Sequence, residues 1–565
     1  MAEQHPQRHL PSVPSFDIIG ILQPSNMPIR DDSDDSDEEW DEEIRQREEK
    51  RRKHNEAQAT LAVAIMAACT VTPECSDRPP ANSPAEKSTT SRSTTHTKNI
   101  FVRDDSGNLV RMTPKLSPWY HMYVLAPRAD DAGWLNKFRR RFRSPYLAYA
   151  QLVAIVRSVD STKYFSRWTI RKHKCTKEQS PVELLVLGAL RYLGRGWTFD
   201  DLEEATGIGE ETHRVFFHKF LTFGSDILFH QFVPFPTSTD DAHCLAYNEA
   251  GMPGCVGSMD ASHVLCERVP HDQAQEHKAF KINGTARTYN LVVNNNRKIL
   301  STTRGHPARW NDKTLVRYDK MATTLRYGKS DVLDNLPFEL YERTEDGTVV
   351  SVKYKGAWLL VDNGYLNWSC TVPPMKTSTS IPEIRFSEWL ESLRKDVECT
   401  FGILKGRFRV LKAGIRLHGI EACDNLWCTC CALHNMFLQY DGNDEDVWAS
   451  DWGDFTEEDL DNVVPFAVQR LFNPSQIRAY DTSGNGRGND YRPSNGQDDD
   501  STDEDDDHPD NVDQQSTAVQ LARSVDEDGC RCVRKLSLSV FRDKLVEHFD
   551  IAFSKNEIKW PTKQL

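Results

Sequence analysis

Apolar positions along this chain change period partway through. Between residues 132 and 235 they recur at helical spacing, as in SPYLAYAQLVAIV (144–156) and PVELLVLGALRYL (181–193). Gly194-Arg195-Gly196 ends the second of these helices. Thr198 then stands as an N-cap with Asp201 in the first turn, and Gly207-Ile208-Gly209 separates that short helix from another starting near Glu210. Helix, tight glycine turn and helix is the spacing of a helix-turn-helix unit, with Glu210, Thr212, His213, Arg214 and Lys219 among the groove-facing candidates. Ordinary bundles show the same pattern, and Glu210 and Glu211 would repel phosphate.

From residue 251 to 440 the apolar runs shorten and alternate with helical stretches. CVGSMDASHV (255–264) reads as a strand, and TYNLVVNNNRKILSTTRG (288–305) as a hairpin turning at Asn294 to Asn296. WNDKTLVRYDKMATTLRYG (310–328) reads as a helix, and FELYERTEDGTVVSVKYKG (338–356) turns at Asp346-Gly347. AWLLVDNGYL (357–366) is a buried strand, followed by a long helix from Ser387 to about Leu411. Three strands, a helix, a strand and an acid-bearing helix describe an α/β fold with an RNase H-like catalytic core, preceded by the all-helical, helix-turn-helix-like domain. Residues 1–115 read as a disordered N-terminal tail, 132–235 as the helical DNA-binding domain and 251–440 as the nuclease domain. Residues 441–565 read as an acidic, largely disordered C-terminal tail, with helical spacing in SVFRDKLVEHFDIAF (539–553) for docking or partner binding.

Composition supports that layout. The hydrophobic fraction of 38% and mean hydropathy of −0.61 are low for 565 residues, as expected when disordered segments dilute a globular centre. The net charge of −14 owes ten acids to residues 31–43 and eight to residues 498–507; without them it is +4. The body is therefore mildly basic, which suits nucleic acid. The start MAEQHPQRHLPSV does not read as a signal peptide, and the apolar stretch 59–71 is too short to span a membrane. The fourteen cysteines thus read as reduced thiols in a nuclear or cytosolic setting, with no membrane partner. RQREEKRRK (45–53) reads either as a solvated helix or as part of a nuclear localisation signal, and the nucleus is the expected location. KFRRRFR (137–143) sets Lys137, Arg139, Arg140 and Arg141 around Phe138 and Phe142, so that phosphate contacts are anchored to a core; an exposed helix face is the alternative.

Three acids carry the candidate chemistry. Asp260 and Asp362 follow apolar strand runs, and Glu398 lies in the long helix on a stripe with Glu391, Arg394, Phe401, Lys405 and Phe408. Asp396 lies roughly 200° away around that helix, so only one of the two can face the strand ends, and Glu398 is nearer the buried side of Phe401 and Leu404. Three converging carboxylates repel one another, and divalent cations keep them ionised. Mg²⁺ or Mn²⁺, as two ions about 4 Å apart, would activate an attacking water or 3′-hydroxyl and stabilise the leaving oxygen. His263 reads as a scaffold or DNA-contacting residue more than a catalytic one, and Asp312 as a helix cap more than a ligand. Lys405, Arg407 and Arg409, with Lys412 and Arg416 beyond, suit binding of the cleaved strand or form a solvated face. CDNLWCTCCALHN (423–435) has the wrong cysteine spacing for a zinc site and reads as a buried helix.

Together KFRRRFR, RYLGRGWTFDDLEEATGI, GSMDASH, GHPARWNDKTL, VDNGYL, VECTFGILKGRFRVL and CALHN resemble the PIF/Harbinger superfamily of DDE transposases, especially the plant transposon proteins and Harbinger transposase-derived nucleases. The resemblance covers residues 134–440, and the gap of 35 residues between Asp362 and Glu398 is the short one typical of such enzymes. It implies a metal-dependent nuclease with Asp260, Asp362 and Glu398 as its acids, and cut-and-paste excision and integration. It also implies double-stranded DNA partners at transposon ends and target site, a homo-oligomer that joins two ends, and a Myb-like accessory DNA-binding protein. Asn363 departs from the family pattern, which often has Arg before Gly-Tyr. The alternative is a domesticated, catalytically silent DNA-binding or scaffold protein that keeps the fold.

Overall fold

The computed structural model describes residues 100–103, 106–158, 162–170, 179–236, 243–279, 284–441 and 516–560. The acidic runs at 31–43 and 498–507, and the basic stretch 45–53, lie outside the described residues.

Helix α1 (Ala132–Phe142) starts where Asp131 accepts the Trp134 N–H at 3.1 Å. Its buried residues Trp134, Phe138 and Phe142 fall on one face at fourfold spacing. Phe138 meets Tyr146 of α2 (Tyr146–Arg157) with ring centroids 5.1 Å apart. Packing of that face leaves Lys137, Arg140 and Arg141 exposed, with Arg139 only partly so. Helix α3 (Val182–Arg195) is buried along most of its length, and Gly196 closes it at φ 70°. Helix α4 (Phe199–Thr206) begins with a capping box between Thr198 and Asp201 and ends at Gly207; α5 (Glu210–Phe223) follows directly. The two helices and their glycine turn therefore occur where the sequence pattern places them.

Strands β1 (Cys255–Leu265), β2 (Ala286–Val293) and β3 (Ile299–Thr302) form an antiparallel meander, and β4 (His306–Pro307) pairs with β2. The β2–β3 turn is held by Asn294, whose side-chain oxygen accepts the N–H groups of Asn296 at 3.0 Å and Lys298 at 2.9 Å. Residues 310–328 form two helices, α6 (Asp312–Val316) and α7 (Lys320–Tyr327), in place of the single predicted one. The break falls at Asp319, a fully buried carboxylate that caps α7 through Ala322 N–H and accepts Asn290 Nδ2 at 2.8 Å.

A hairpin of β5 (Pro337–Arg343) and β6 (Val349–Lys355) precedes β7 (Trp358–Leu360) and β8 (Thr371–Val372). Both β7 and β8 run parallel to β1, giving the sheet order β3-β2-β1-β7-β8. Helix α8 (Ile381–Arg407) starts earlier than predicted because Ser380 and Glu383 form a capping box with Pro382 in the first turn. The short α9 (Arg409–Ala413) leads to α10 (Ile420–Asp441), which is buried almost throughout. Near the end, β9 (Arg531–Cys532) pairs with β6, and α11 (Leu538–Ser554) lays Phe541 and Phe549 against Trp358, Trp389 and Phe386. The terminal helix thus docks on its own chain.

One continuous apolar cluster runs from Phe138, Leu187 and Phe217 through Leu291 and Phe401 to Trp427. The helical segment and one face of the sheet therefore share a core. No helix among the described residues is long and apolar enough to cross a membrane.

Candidate active site

Parallel pairing of β1 with β7 sets Ser258 opposite Leu360. Asp260, inside β1, and Asp362, just beyond the end of β7, each lie two residues past that pair, which brings them to neighbouring positions at this edge of the sheet. Helix α8 crosses β1 and brings Arg394 and Glu398 to this point. Arg394 Nη1 lies 3.3 Å from Asp260 Oδ2, Nη2 2.9 Å from Glu398 Oε1, and Nε 3.2 Å from Glu391 Oε2. Ala261 N–H donates to Asp260 Oδ1 at 2.8 Å, and Gly364 N–H donates to Asp362 Oδ1 at 2.9 Å.

Burial pushes the Asp260 carboxyl up to about 7, Arg394 and the Ala261 N–H counteract, and the charges of Asp362 and Glu398 push it further upward. Asp362 and Glu398 therefore lie close enough to Asp260 for their charges to be felt there. Burial works against the charge of Arg394, but Glu391, Asp260, Glu398 and Asp362 more than offset it.

Asp312 does not cap α6. Asn311 does, accepting the Thr314 N–H at 2.9 Å, and the Asp312 carboxylate lies instead beside Gly364, past the end of β7. A methyl group on Gly364 would come within 2.7 Å of Asp312 Oδ2 and 3.1 Å of Asp362 Oδ1, so only glycine leaves both carboxylates room. Beneath them Tyr365 donates to Asn290 Oδ1 at 2.8 Å, and Asn290 in turn binds Asp319. Burial together with Asp260, Asp312 and Asp362 drives the Tyr365 hydroxyl far above its ordinary range, keeping it a donor. The sequence pattern does not reveal this network, because Asn290 sits in a strand that also carries Arg287 and Thr288.

Carboxylates of this kind fit a hard divalent cation in donor chemistry, and Asp260 needs positive charge nearby to ionise at neutral pH. Among the described residues no three His, Cys, Asp or Glu side chains already form a cage for a metal ion. The positive charge shared by Asp260 and Glu398 is the Arg394 guanidinium.

Other candidate residues fall elsewhere. Asp396 is buried and faces Arg297 at 3.9 Å, away from Arg394. His263 Nδ1 is 2.7 Å from Thr288 Oγ1, a scaffold contact between β1 and β2. Lys405 Nζ donates to Ser262 Oγ at 2.8 Å, two residues from Asp260 along β1. Arg139 and Arg407, both read from the sequence as DNA contacts, instead bind the two oxygens of Asp441 at 2.7 and 2.5 Å, and Arg407 is 3% exposed. Arg214 is exposed but makes a two-pronged pair with Glu211. Lys219 and Arg409 are exposed, while His213 is buried against Thr206 at 2.8 Å and cannot face a groove. Lys137, Arg140 and Arg141 stand on the outer face of α1. In the cysteine-rich helix α10, Asn435 clamps β3 to the helical segment, accepting Ile299 N–H at 2.9 Å and donating to Phe232 O at 2.8 Å.

Residues 259–435 match the family described as DDE superfamily endonuclease. Curated relatives include "Putative nuclease HARBI1" of Mus musculus, 25% identical over 226 residues, and its Homo sapiens and Bos taurus counterparts at 24% and 23%. These alignments cover 39% of this chain and 56% of each relative, so the chain spans about half the length of the proteins it matches. No solved structure matches. All three acids and Arg394 lie inside the matched segment, and over that segment the chain is similar to the DDE superfamily endonucleases and to the HARBI1 nucleases.

Proposed function

We propose that the chain is a divalent-metal-dependent DDE transposase or transposase-derived nuclease that cleaves, and as a transposase also joins, DNA phosphodiester bonds. The observation that carries this reading is the Arg394 guanidinium, which ties Asp260 of β1 and Glu398 of α8 to one point beside Asp362, just past the end of β7. The sheet order, an antiparallel meander extended by two parallel strands, supports an RNase H-like core. Asp260, Asp362 and Glu398 would hold Mg²⁺ or Mn²⁺, which supplies activation of the attacking oxygen and neutralisation of the leaving one.

The chain's own groups do the rest. Gly364 and Ala261 N–H groups fix the two aspartates, and the Tyr365–Asn290–Asp319 network fixes the strand behind them. Arg394 offers a planar donor fork beside the carboxylates for a phosphate oxygen. Lys405 places a second cation near Asp260, and exposed Arg409 and Lys219 extend positive charge toward double-stranded DNA. Nuclear location, a homo-oligomer that brings two ends together and a Myb-like partner belong to the same reading.

A second reading has its own observation. Arg394 already neutralises Asp260 and Glu398, as it would in a silent DNA-binding scaffold. Cleavage of DNA carrying the native flanking sequence, in Mg²⁺ or Mn²⁺, separates the two. Activity in the parent and none in Asp362→Asn supports the nuclease; tight DNA binding with no cleavage by either protein supports the scaffold.

A further inference from the structure

Seven of the thirteen side chains around one cavity of about 950 Å³ are Arg or Lys, and none is acidic. The cavity lies between the segment 118–128, the outer face of α1 and the end of α3. Lys137, Arg140 and Arg141 come from α1, and among the described residues no carboxylate pairs with any of them. Arg191 of α3 lies half-buried in the wall. Its Nη1 donates to the Arg141 carbonyl at 2.6 Å, its guanidinium stacks over Trp197 at 4.0 Å, and its Nε is sealed from solvent with no hydrogen-bond partner. Burial, then the charges of Arg195, Arg141 and Arg143, lower its pKa to about 10.

Elsewhere the fold treats sequestered arginines differently. Arg287 meets Asp424, Arg407 meets Asp441, and Arg394 meets three acids. Even Arg139, between the cavity cations in sequence, is turned away to Asp441. Arg128 pairs with Asp131 at 2.7 Å, but Lys137, Arg140, Arg141 and Arg191 have no carboxylate partner among the described residues; cations gathered in this way repel one another, and an incoming anion relieves that repulsion. Guanidinium forks at close spacing match phosphate oxygens. The aromatic walls are already engaged, Tyr123 with Trp134 at 5.8 Å and with Arg141 through its hydroxyl at 2.7 Å, which leaves phosphates and not bases as the groups to be recognised. A space of about 950 Å³ takes a small molecule whole and is too small for a duplex to enter.

We propose that this cavity binds a compact polyphosphate, a small soluble molecule carrying several closely spaced phosphates. The assignment is independent of the nuclease reading and moves Lys137, Arg140 and Arg141 from duplex contact to ligand recognition.

Sodium tripolyphosphate is the probe, titrated into the full chain by calorimetry and by thermal melting, with sulfate at matched ionic strength and a short oligothymidylate alongside. The expected result is saturable tripolyphosphate binding, weakened roughly tenfold or more in Lys137→Gln/Arg140→Gln, as loss of two charge-assisted contacts requires. Both side chains are exposed, and Lys137→Gln alone gives a second, milder test of the same loss. Equal stabilisation by sulfate, or unchanged binding in the variants, overturns the site. Oligothymidylate that binds the cavity and displaces tripolyphosphate at equal phosphate concentration overturns the small-ligand assignment in favour of a strand.

Discussion

Two clusters of like charge sit in this molecule, and they are balanced in opposite ways. Where α8 crosses the middle of β1, Asp260, Glu391 and Glu398 share the Arg394 guanidinium. Around the cavity beside α1, Lys137, Arg140, Arg141 and Arg191 share no carboxylate among the described residues. The acidic cluster therefore carries its own counter-ion, and an arriving cation must share the carboxylates with Arg394. The basic cluster has no such built-in counter-ion for Lys137, Arg140, Arg141 and Arg191, so on the proposed reading anions are expected to stabilise the protein there. A buried charge cluster reveals its ligand by what the fold leaves uncompensated.

Asp441 offers the sharpest break of that comparison, because it is the fully compensated case. Its side chain is sealed from solvent between Arg139 and Arg407. Asp441→Asn strands two arginines and is expected to cost about 3–5 kcal/mol, read as a lowered urea midpoint at unchanged slope. A near-neutral effect would mean that buried charge balance does not govern stability in this fold.

Arg394→Gln removes the inbuilt counter-ion of the acids. The expected loss is about 2–3 kcal/mol at neutral pH, recovered in part by millimolar Mg²⁺ and recovered more in the variant than in the parent. Identical Mg²⁺ responses in the two proteins would show that Arg394 and the cation do not share the carboxylates.

His213 gives a smaller, pH-dependent effect. Burial lowers its pKa to about 3, against an unfolded value near 6.5. The unfolded state binds the extra proton between these values, so the stability contribution is complete above about pH 6.5 and is lost as pH falls toward 3. At pH 5 the loss is about 2 kcal/mol relative to pH 8. His213→Gln is expected to flatten that part of the stability profile, and an unchanged slope between pH 8 and 5 would contradict the buried neutral imidazole.

Short-range patterns in the sequence carried much of this structure. Asp260 and Asp362 follow apolar runs that can only be strands, and Glu398 was separable from Asp396 by helical angle alone. The Thr198–Asp201 cap and the Asp346-Gly347 and Asn294 turns are likewise local devices. What stayed hidden depends on partners far away in the chain. Arg139 and Arg407 read as phosphate contacts because Asp441, 302 residues beyond Arg139, could not be paired with them by pattern. Asp312 read as a cap because Asn311 beside it is an equally good one, and only the fold decides which side chain turns to the helix. The break at Asp319 reflects a buried bond to Asn290 that overrides helical periodicity. The cavity gathers residues from 118 to 195, and its cations from α3 had read only as a helix end.

The central claim is that Asp260, Asp362 and Glu398 form one divalent-metal centre despite the guanidinium between them. Mn²⁺ titration followed by electron paramagnetic resonance tests it without requiring the DNA substrate. Bound Mn²⁺ in the parent, lost in both Asp362→Asn and Glu398→Gln with folding intact, is the predicted result. Equal Mn²⁺ occupancy in parent and variants, or none in any of them, would contradict it and leave the acids as a structural cluster around Arg394.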